Sequence, residues 1–313
     1  MAVPTKPFDL SAFKPKVISG PESGGKFIII YGKGGVGKST LACHCVDDEA
    51  SADGQRTRSG YFILPVGRET GHQAMHGRKF ETAGKMGLSP VDHLFLHLQY
   101  VQQAHEKLGI KALVIDNYSS ARQSFEADVI LSNPTVGQNN KEVESLADYG
   151  FGRGQAMAFA YSTRLVQGIS KLTERGVHVI LLAHEGRFTV NNPDGSYYKQ
   201  ISINAQDGEN TSVRGLLEAE AHHVLYLTSE PKSLVSDKRG MPADKESAAS
   251  AKKYAKREEI QRLIYTQPMG DFFAKSRADI DPVWVVEDYE NPKELLVKRD
   301  HPQFKQLFKE LLS

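Results

Sequence analysis

The sequence is poor in cysteine, with only Cys43 and Cys45 among its 313 residues. Side chains two apart on a helical stretch point to different faces, so these two predict reduced thiols in a cytoplasmic setting rather than a metal site. Net charge is also nearly absent, at a formal +1. This balance excludes a global attraction to nucleic acid or membrane, and any binding to an anionic polymer must come from a local patch.

Long apolar runs are missing as well. The longest, such as 27–31 and 179–183, are far too short to cross a bilayer, and residues 1–10 lack the apolar stretch of a signal peptide. These absences predict a soluble protein with no membrane partner. The apolar content of 40% is ordinary for a globular chain of this length, which can hold one large α/β domain or two smaller ones.

What the sequence does contain is a series of short apolar runs of strand length. The first four alternate with stretches long enough for helices, and the runs are 26–31, 61–66, 112–116, 177–183 and 223–228. This alternation predicts one doubly wound α/β core with a mostly parallel sheet flanked by helices. Shorter runs at 262–266, 272–274 and 283–286 predict C-terminal antiparallel strands.

The rest of the chain divides around this core, which is predicted to span 26–290. Residues 1–25 are rich in Pro, Gly and Lys and predict an N-terminal arm, while 229–259 predict a charged linker and helix inserted in the core. Residues 291–313 predict a C-terminal amphipathic helix, because Phe304, Leu307, Phe308, Leu311 and Leu312 share one helical face. That helix is expected to dock on its own core or on a neighbouring subunit.

A glycine-rich segment follows the first apolar run directly. It reads Gly32-Lys33-Gly34-Gly35-Val36-Gly37-Lys38-Ser39-Thr40 and fits the pattern G-x-x-x-x-G-K-[ST] between a strand and a helical stretch. In that context backbone N–H groups surround phosphates, Lys38 reaches the β- and γ-phosphates, and the Ser39 hydroxyl ligates Mg²⁺. The sequence therefore predicts an ATP site over residues 32–40, with Mg²⁺ as the second cofactor.

Polar residues follow three other predicted strands. Asp116 ends an apolar run and is predicted to hold the water shell of Mg²⁺. Glu69 follows the second run, at the strand end where open α/β sheets bind ligands, and is predicted to orient or deprotonate the attacking water. His184 ends the run 177–183 and is predicted to sense the γ-phosphate and to pass its loss to the loop that follows.

The same loop also fits the signature-lysine loop of ParA/MinD-type partition ATPases, in which Lys33 would have a special role. Those proteins have an Asp-rich signature after the second strand and Asp-x-Pro-Pro after a later one. Here the corresponding segments, 64–69 and 116–119, read Leu-Pro-Val-Gly-Arg-Glu and Asp-Asn-Tyr-Ser. The context favours an ordinary solvated Lys33. A nucleotide-dependent dimerising switch of that type, or a nucleotide-binding assembly protein with little turnover, stays open as an alternative.

With these elements in order, residues 24–286 resemble the RecA-like ATPases, and most closely the small phage branch of Sak-type single-strand annealing ATPases. The resemblance rests on the phosphate loop, Glu69, the runs ending at Asp116 and His184, and Ala274-Lys275-Ser276-Arg277. The last element is similar to the Lys-x-Arg motif that RadA and KaiC relatives present to the ATP of a neighbouring subunit. It implies that Lys275 and Arg277 neutralise charge developing on the γ-phosphate.

The resemblance implies ATP hydrolysis stimulated by single-stranded DNA, in phage-type recombination or annealing in the host cytoplasm. It implies as partners single-stranded DNA, further copies of the chain with ATP at the subunit interfaces, and a single-strand-binding protein. The sequence has no zinc module, no helix-hairpin-helix domain and no clear match to the two DNA-binding loops of full RecA proteins. Basic and aromatic residues therefore supply the DNA-binding candidates, in a predicted hairpin or loop over 186–215 and in 252–257. The candidates in the first segment are Arg187, Tyr197, Tyr198, Lys199 and Arg214.

Overall fold

The structure is a computed structural model of the chain. It describes residues 24–45, 49–50, 56–57, 60–66, 78–136, 141–191, 194–207, 211–231, 260–269, 271–286 and 302–312. Glu69, the stretch 252–257, most of the predicted arm and most of the predicted linker lie outside the described residues.

Within these residues the strands are β1 (Phe27–Gly32), β2 (Glu49–Ala50), β3 (Arg56–Thr57), β4 (Tyr61–Pro65), β5 (Arg78–Lys79), β6 (Ala112–Asp116), β7 (Thr135–Val136), β8 (Lys141–Glu142), β9 (His178–Asn191), β10 (Tyr197–Ile203), β11 (His223–Pro231), β12 (Ile260–Tyr265), β13 (Lys275–Ser276) and β14 (Val283–Val286). The helices are α1 (Lys38–Ala42), α2 (Ala83–Met86), α3 (Pro90–Leu108), α4 (Tyr118–Ser132), α5 (Arg153–Glu174), α6 (Val213–Glu220) and α7 (Pro302–Leu312), with a 3₁₀ turn at Leu146–Tyr149. No helix among the described residues is long and apolar enough to span a membrane.

The main sheet has the strand order β14-β12-β11-β1-β9-β6-β4-β5. Neighbours from β11 to β5 run parallel, whereas β12 and β14 continue the sheet antiparallel beyond β11. The strands β1, β4 and β6 are buried over their whole length, as continuous apolar runs in a sheet covered on both faces should be. The predicted α/β class with C-terminal antiparallel strands is confirmed.

Two apolar cores lie on the two faces of the sheet, because side chains alternate along each strand. Ile29 and Tyr31 of β1 join the core covered by α3 to α6, while Ile28 and Ile30 join the core covered by α1 and α7. We call these the α3 face and the α1 face. The apolar stripe of α7 is buried in the second core, so the C-terminal helix docks on its own chain.

Three boundaries differ from those predicted. The strand β9 continues past residue 183 to Asn191 and forms a hairpin with β10, which is one of the two alternatives predicted for the start of residues 186–215. The strand β11 extends to Pro231, into the predicted linker. The run 272–274 is not a strand of the main sheet. Phe273 N–H donates instead to Ile201 O of β10 at 2.9 Å, and the next strand, β13, begins at Lys275.

Candidate functional site

The phosphate loop lies between β1 and α1, at the carboxyl edge of the parallel sheet. Gly32 ends β1, and a Cβ built on it would lie 2.1 Å from the carbonyl oxygen of Leu227. Gly37 has a φ of 106°, in the left-handed region that favours glycine, and Lys38 begins α1 directly after it. The backbone therefore requires glycine at both ends of the loop.

Lys38 is held against this loop. Its Nζ donates to the carbonyl oxygens of Gly32 and Lys33, at 3.0 and 2.7 Å, and the residue is 7% exposed. The loop is open on its other side: within the described chain, no non-neighbouring heavy atom lies within 4 Å of a Cβ built on Gly34 or Gly35. An ammonium beside an open turn of glycine backbone suits an anionic phosphate chain, so these residues fit the predicted ATP site.

Ser39 and Asp116 meet beside the loop. Ser39 Oγ lies 3.5 Å from Asp116 Oδ2, although β9 separates β1 from β6 in the sheet. Asp116 ends β6 and is 3% exposed. Hydroxyl and carboxylate oxygens are the hard ligands that Mg²⁺ prefers, with waters and phosphate oxygens completing its shell. The pair therefore fits the predicted Mg²⁺ site.

His184 lies on β9, level with the start of the phosphate loop. It pairs in register with Gly32, and its backbone N–H donates to Ser119 Oγ at 3.2 Å. Leu182 belongs to the α1 face, so alternation puts His184 on that face too, the face on which α1 packs. The predicted sensor is thus beside the loop, half-buried, on a strand that continues into the hairpin.

Glu69, the predicted water-activating residue, lies outside the described residues. The preceding strand, β4, runs parallel to β6 with Pro65 opposite Asp116, and Val66 N–H donates to Asp116 O at 2.7 Å. The chain therefore leaves β4 at the same edge as Asp116. The role of Glu69 stays a prediction.

Lys275 and Arg277, predicted to act across a subunit boundary, lie towards the opposite, amino edge of the sheet. Lys275 pairs with Val224, which is opposite Ile29 of β1. That position is three residues, or about 10 Å, short of Gly32 along the strand direction. The two cations are therefore remote from the phosphate loop of their own chain.

Both cations cap α6. Lys275 Nζ donates to the carbonyl oxygens of Glu218 and Ala219, at 2.8 and 3.1 Å, and Arg277 Nη2 donates to Ala219 O at 3.3 Å. The last carbonyls of a helix have no partner inside it and carry partial negative charge, so cations there stabilise the helix. Burial, and then the charge of Arg277, lower the pKa of Lys275. Within one chain the pair therefore has a structural role.

The predicted DNA-binding residues divide between the two faces of the β9–β10 hairpin. Residues directly opposite in an antiparallel pair share a face, and Tyr197 is opposite Asn191 while Tyr198 is opposite Val190. One face, which we call the basic face, carries the exposed side chains Arg187, Thr189, Asn191, Tyr197 and Lys199. Tyr198 lies on the other face and is 40% exposed, against 71% for Tyr197. The two tyrosines therefore do not form one platform.

Arg214 does not belong to the basic face. Its Nη2 lies 2.6 Å from Asp207 Oδ2, its Nη1 donates to Gln200 Oε1 at 3.3 Å, and its Cζ lies 4.7 Å from the centre of the Phe188 ring. Only 15% of its side chain is exposed. Because the guanidinium is already paired and stacked, DNA contact by Arg214 would require it to exchange these partners, and its DNA-binding role stays a prediction.

Two residues near the loop were not among the predicted site residues. Tyr31 precedes Gly32, is fully buried, and donates its hydroxyl to the carbonyl oxygens of Ile201, at 3.2 Å, and of Phe273. Arg262 lies on β12 with its guanidinium beside Gly37. The signal in each case was a polar group within a mostly apolar strand, which is typical of many strands and specifies no role.

The sheet order, the phosphate loop after β1 and the carboxylate that ends β6 define a RecA-like P-loop NTPase. The chain belongs to the AAA_24 family of AAA domains, which matches residues 25–278. Membership of this P-loop ATPase family suggests ATP hydrolysis. A KaiC-like protein from the hyperthermophilic archaeon Pyrococcus horikoshii OT3 is similar in structure, with 16% sequence identity and a TM-score of 0.36 over 84% of this chain and 89% of that one. None of the curated proteins matches the sequence significantly.

Proposed function

We propose that the chain hydrolyses ATP and acts on single-stranded DNA, in phage-type recombination or annealing. The continuity of β9 carries the proposal. The strand passes the phosphate loop at His184 and then becomes one strand of the hairpin that bears the basic face. Loss of the γ-phosphate would therefore occur beside the strand that continues into the hairpin, and the hairpin carries a surface suited to nucleic acid.

At the nucleotide site each residue has the role its chemistry suits. Lys38 and the loop backbone hold the phosphates, while Ser39 and Asp116 hold Mg²⁺. Bound Mg²⁺ would neutralise charge on the phosphate oxygens. Glu69 orients or deprotonates the attacking water, and His184 distinguishes the presence of the γ-phosphate from its loss.

The basic face has the composition of a single-strand binding surface. Arg187 and Lys199 supply charge for backbone phosphates, and the exposed ring of Tyr197 supplies a surface on which a base can stack. The net charge of +1 means that attraction to DNA must be local, as this patch is. Tyr198, on the other face, is expected to cover the hairpin instead.

The Tyr31 hydroxyl supports a link between the two sites. It donates to the carbonyl oxygen of Ile201, the residue opposite Arg187 in the hairpin, and Tyr31 itself is adjacent to Gly32. Its ring also stacks on Tyr226, whose hydroxyl donates to Glu185 Oε2 at 3.3 Å, one residue after the proposed sensor. A movement of β1 would therefore be transmitted to the hairpin through two hydroxyl contacts, those of Tyr31 and Tyr226.

The proposal includes a homo-oligomer with ATP at the subunit interfaces. Lys275 and Arg277 are remote from their own phosphate loop, so they could meet a γ-phosphate only in a neighbouring copy. That action would require them to exchange the carbonyl groups of α6 for phosphate oxygens. A single-strand-binding protein that presents the strand is a further partner in this proposal.

The test is a titration of the purified chain with single- and double-stranded DNA, following fluorescence anisotropy and phosphate release. With ATP at low salt, single strands should bind and accelerate hydrolysis, and affinity should fall with salt by a log–log slope of about −0.7 per phosphate contact. Tyr197→Ala should weaken binding by about 1–3 kcal/mol. Tyr198→Ala is the matched control on the other face and should leave the affinity of the folded protein unchanged.

Three results would redirect the proposal. Absence of single-strand binding at low salt with ATP present would contradict it. Duplex binding by an ATP-locked dimer would favour a ParA/MinD-like switch. Nucleotide binding without turnover, with or without DNA, would favour an assembly protein.

A further inference from the structure

Arg262, on β12, lies beside the phosphate loop. A Cβ built on Gly37 would lie 3.9 Å from both Cζ and Nε of Arg262 and 4.0 Å from its Nη1. Arg262 is only partly exposed, and within the described part of the chain no hydrogen bond or ion pair joins its guanidinium to another residue. A half-buried guanidinium is usually paired with an acceptor, so this one invites an anionic ligand.

The register of the sheet explains how Arg262 reaches the loop. It lies opposite Ser229 of β11, two residues beyond Leu227, which pairs with Gly32 at the end of β1. Ile264, two residues along β12, belongs to the α1 face, so alternation puts Arg262 on the face where α1 packs. Position and orientation are thus set by backbone pairing.

We propose that Arg262 binds the phosphate chain of the nucleotide held by its own subunit. The inference rests on the nucleotide site of the proposed function and is independent of DNA binding. A guanidinium presents two parallel N–H donors that match pairs of phosphate oxygens, whereas the Lys38 ammonium acts as a single point charge. Arg262 would therefore add a second cation from the β12 side of the loop, in contrast to Lys275 and Arg277, which could act only from a neighbouring copy.

The experiment measures binding directly, by calorimetry with ATP, ADP and inorganic tripolyphosphate. Arg262→Gln should weaken all three by about 10- to 100-fold, the range for losing a hydrogen-bonded charge. Arg262→Lys should recover part of the lost affinity, because it restores the positive charge without the two parallel N–H donors of the guanidinium. Arg78→Gln removes another strand arginine, on β5 at the far edge of the sheet, and should leave the three affinities unchanged. Thermal unfolding of each variant verifies that the fold is intact.

The three ligands separate the outcomes. Unchanged affinities in a folded Arg262→Gln protein would overturn the proposal. Weaker ATP and ADP binding with unchanged tripolyphosphate binding would also overturn it, because the guanidinium would then contact the base or the ribose. If the wild-type chain bound none of the three ligands, the assignment of the nucleotide site itself would be contradicted. A failure to bind DNA would contradict the proposed function but would not affect the conclusion on Arg262.

Discussion

The two edges of the parallel sheet use polar side chains in different ways. At the carboxyl edge, Lys38, Asp116 and Arg262 surround an open glycine loop. At the amino edge, histidines accept hydrogen bonds from N–H groups where β1 begins. Lys26 N–H, just before the strand, donates to His178 Nδ1, and Phe27 N–H donates to His222 Nδ1, both at 3.0 Å. The amino-edge histidines bond the backbone at the start of a strand and so hold it in place. At the carboxyl edge Lys38 also bonds backbone, but its partners belong to the loop, which is open to a ligand at Gly34 and Gly35.

This difference separates two interpretations of Lys275 and Arg277. Their resemblance to a Lys-x-Arg motif predicts catalysis in trans, while their contacts with the last carbonyls of α6 are of the kind that holds an element in place. Changes at the carboxyl edge should therefore affect nucleotide chemistry, and changes at the amino edge should affect stability unless a neighbouring copy is engaged.

The largest effect is expected from Lys38→Ala. Removing the Lys38 ammonium, which bonds the loop carbonyls, should abolish tight ATP binding and hydrolysis, because the loop keeps its backbone donors but loses the charge that faces the phosphates. Folding should survive, since the side chain is not part of either apolar core. Calorimetry, phosphate release and thermal unfolding measure the three properties. Near-normal turnover in a folded variant would remove the nucleotide site from the carboxyl edge.

Glu69→Gln should separate binding from chemistry. The amide retains the shape of the side chain but loses the base, so hydrolysis should slow by about 10²- to 10⁴-fold while ATP binding stays close to normal. Single-turnover hydrolysis and calorimetry on the same protein provide the comparison. If rate and affinity fell together, or if neither changed, the water-activating group would have to be another residue.

Mixing two inactive proteins tests whether the amino edge ever acts in catalysis. Lys38→Ala lacks a working loop and Arg277→Ala lacks the cation, so mixed interfaces could combine an intact loop from one copy with an intact Arg277 from the other. Recovery of hydrolysis on mixing is expected if Arg277 acts in trans. If mixtures proven to hetero-oligomerise showed no recovery, the remaining role of Arg277 would be its contact with the end of α6.

Acid should destabilise the protein through the amino edge. Burial, and then His222, lower the pKa of His223 from 6.5 to about 4, and burial also lowers the pKa values of His178 and His222. The unfolded chain takes up these protons near pH 6.5 and the folded chain only at lower pH. Stability is therefore full above about pH 6.5 and declines towards pH 4, by about 3 kcal/mol for His223 alone.

Urea unfolding measured from pH 8 to pH 4 provides the check. In a folded His223→Gln protein the decline should be shallower than in the wild type, because one titrating group has been removed. Parallel curves for the two proteins would show that other groups cause the acid sensitivity.

The features that were predicted best from the sequence are those that depend on a local residue pattern. The loop motif has a strict spacing and follows an apolar strand, so residues 32–40 and the strand ending at Asp116 were predicted at the correct places. For residues 186–215 the sequence left a hairpin and a loop open, because Phe188 and Val190 alternate with polar residues but the pairing partner is not given by local pattern. The pairing of β9 with β10 decides for the hairpin. The pairing of Arg214 with Asp207 and the approach of Arg262 to Gly37 depend on tertiary contacts that no sequence spacing encodes.

The most direct test of the contrast between the edges is hydrogen–deuterium exchange with and without a non-hydrolysable ATP analogue. We expect slower exchange in β10 when the analogue binds, with little change in β13. In Tyr31→Phe the response of β10 should be clearly smaller, because the contact with the Ile201 carbonyl is lost while that of Tyr226 with Glu185 remains. Tyr149→Phe is the matched control, since that hydroxyl also donates to two carbonyl groups, those of Val129 and Asn133, far along the chain from the loop, and it should keep the response. An unresponsive β10 in the wild type, or a response of β13 as large as that of β10, would contradict the account.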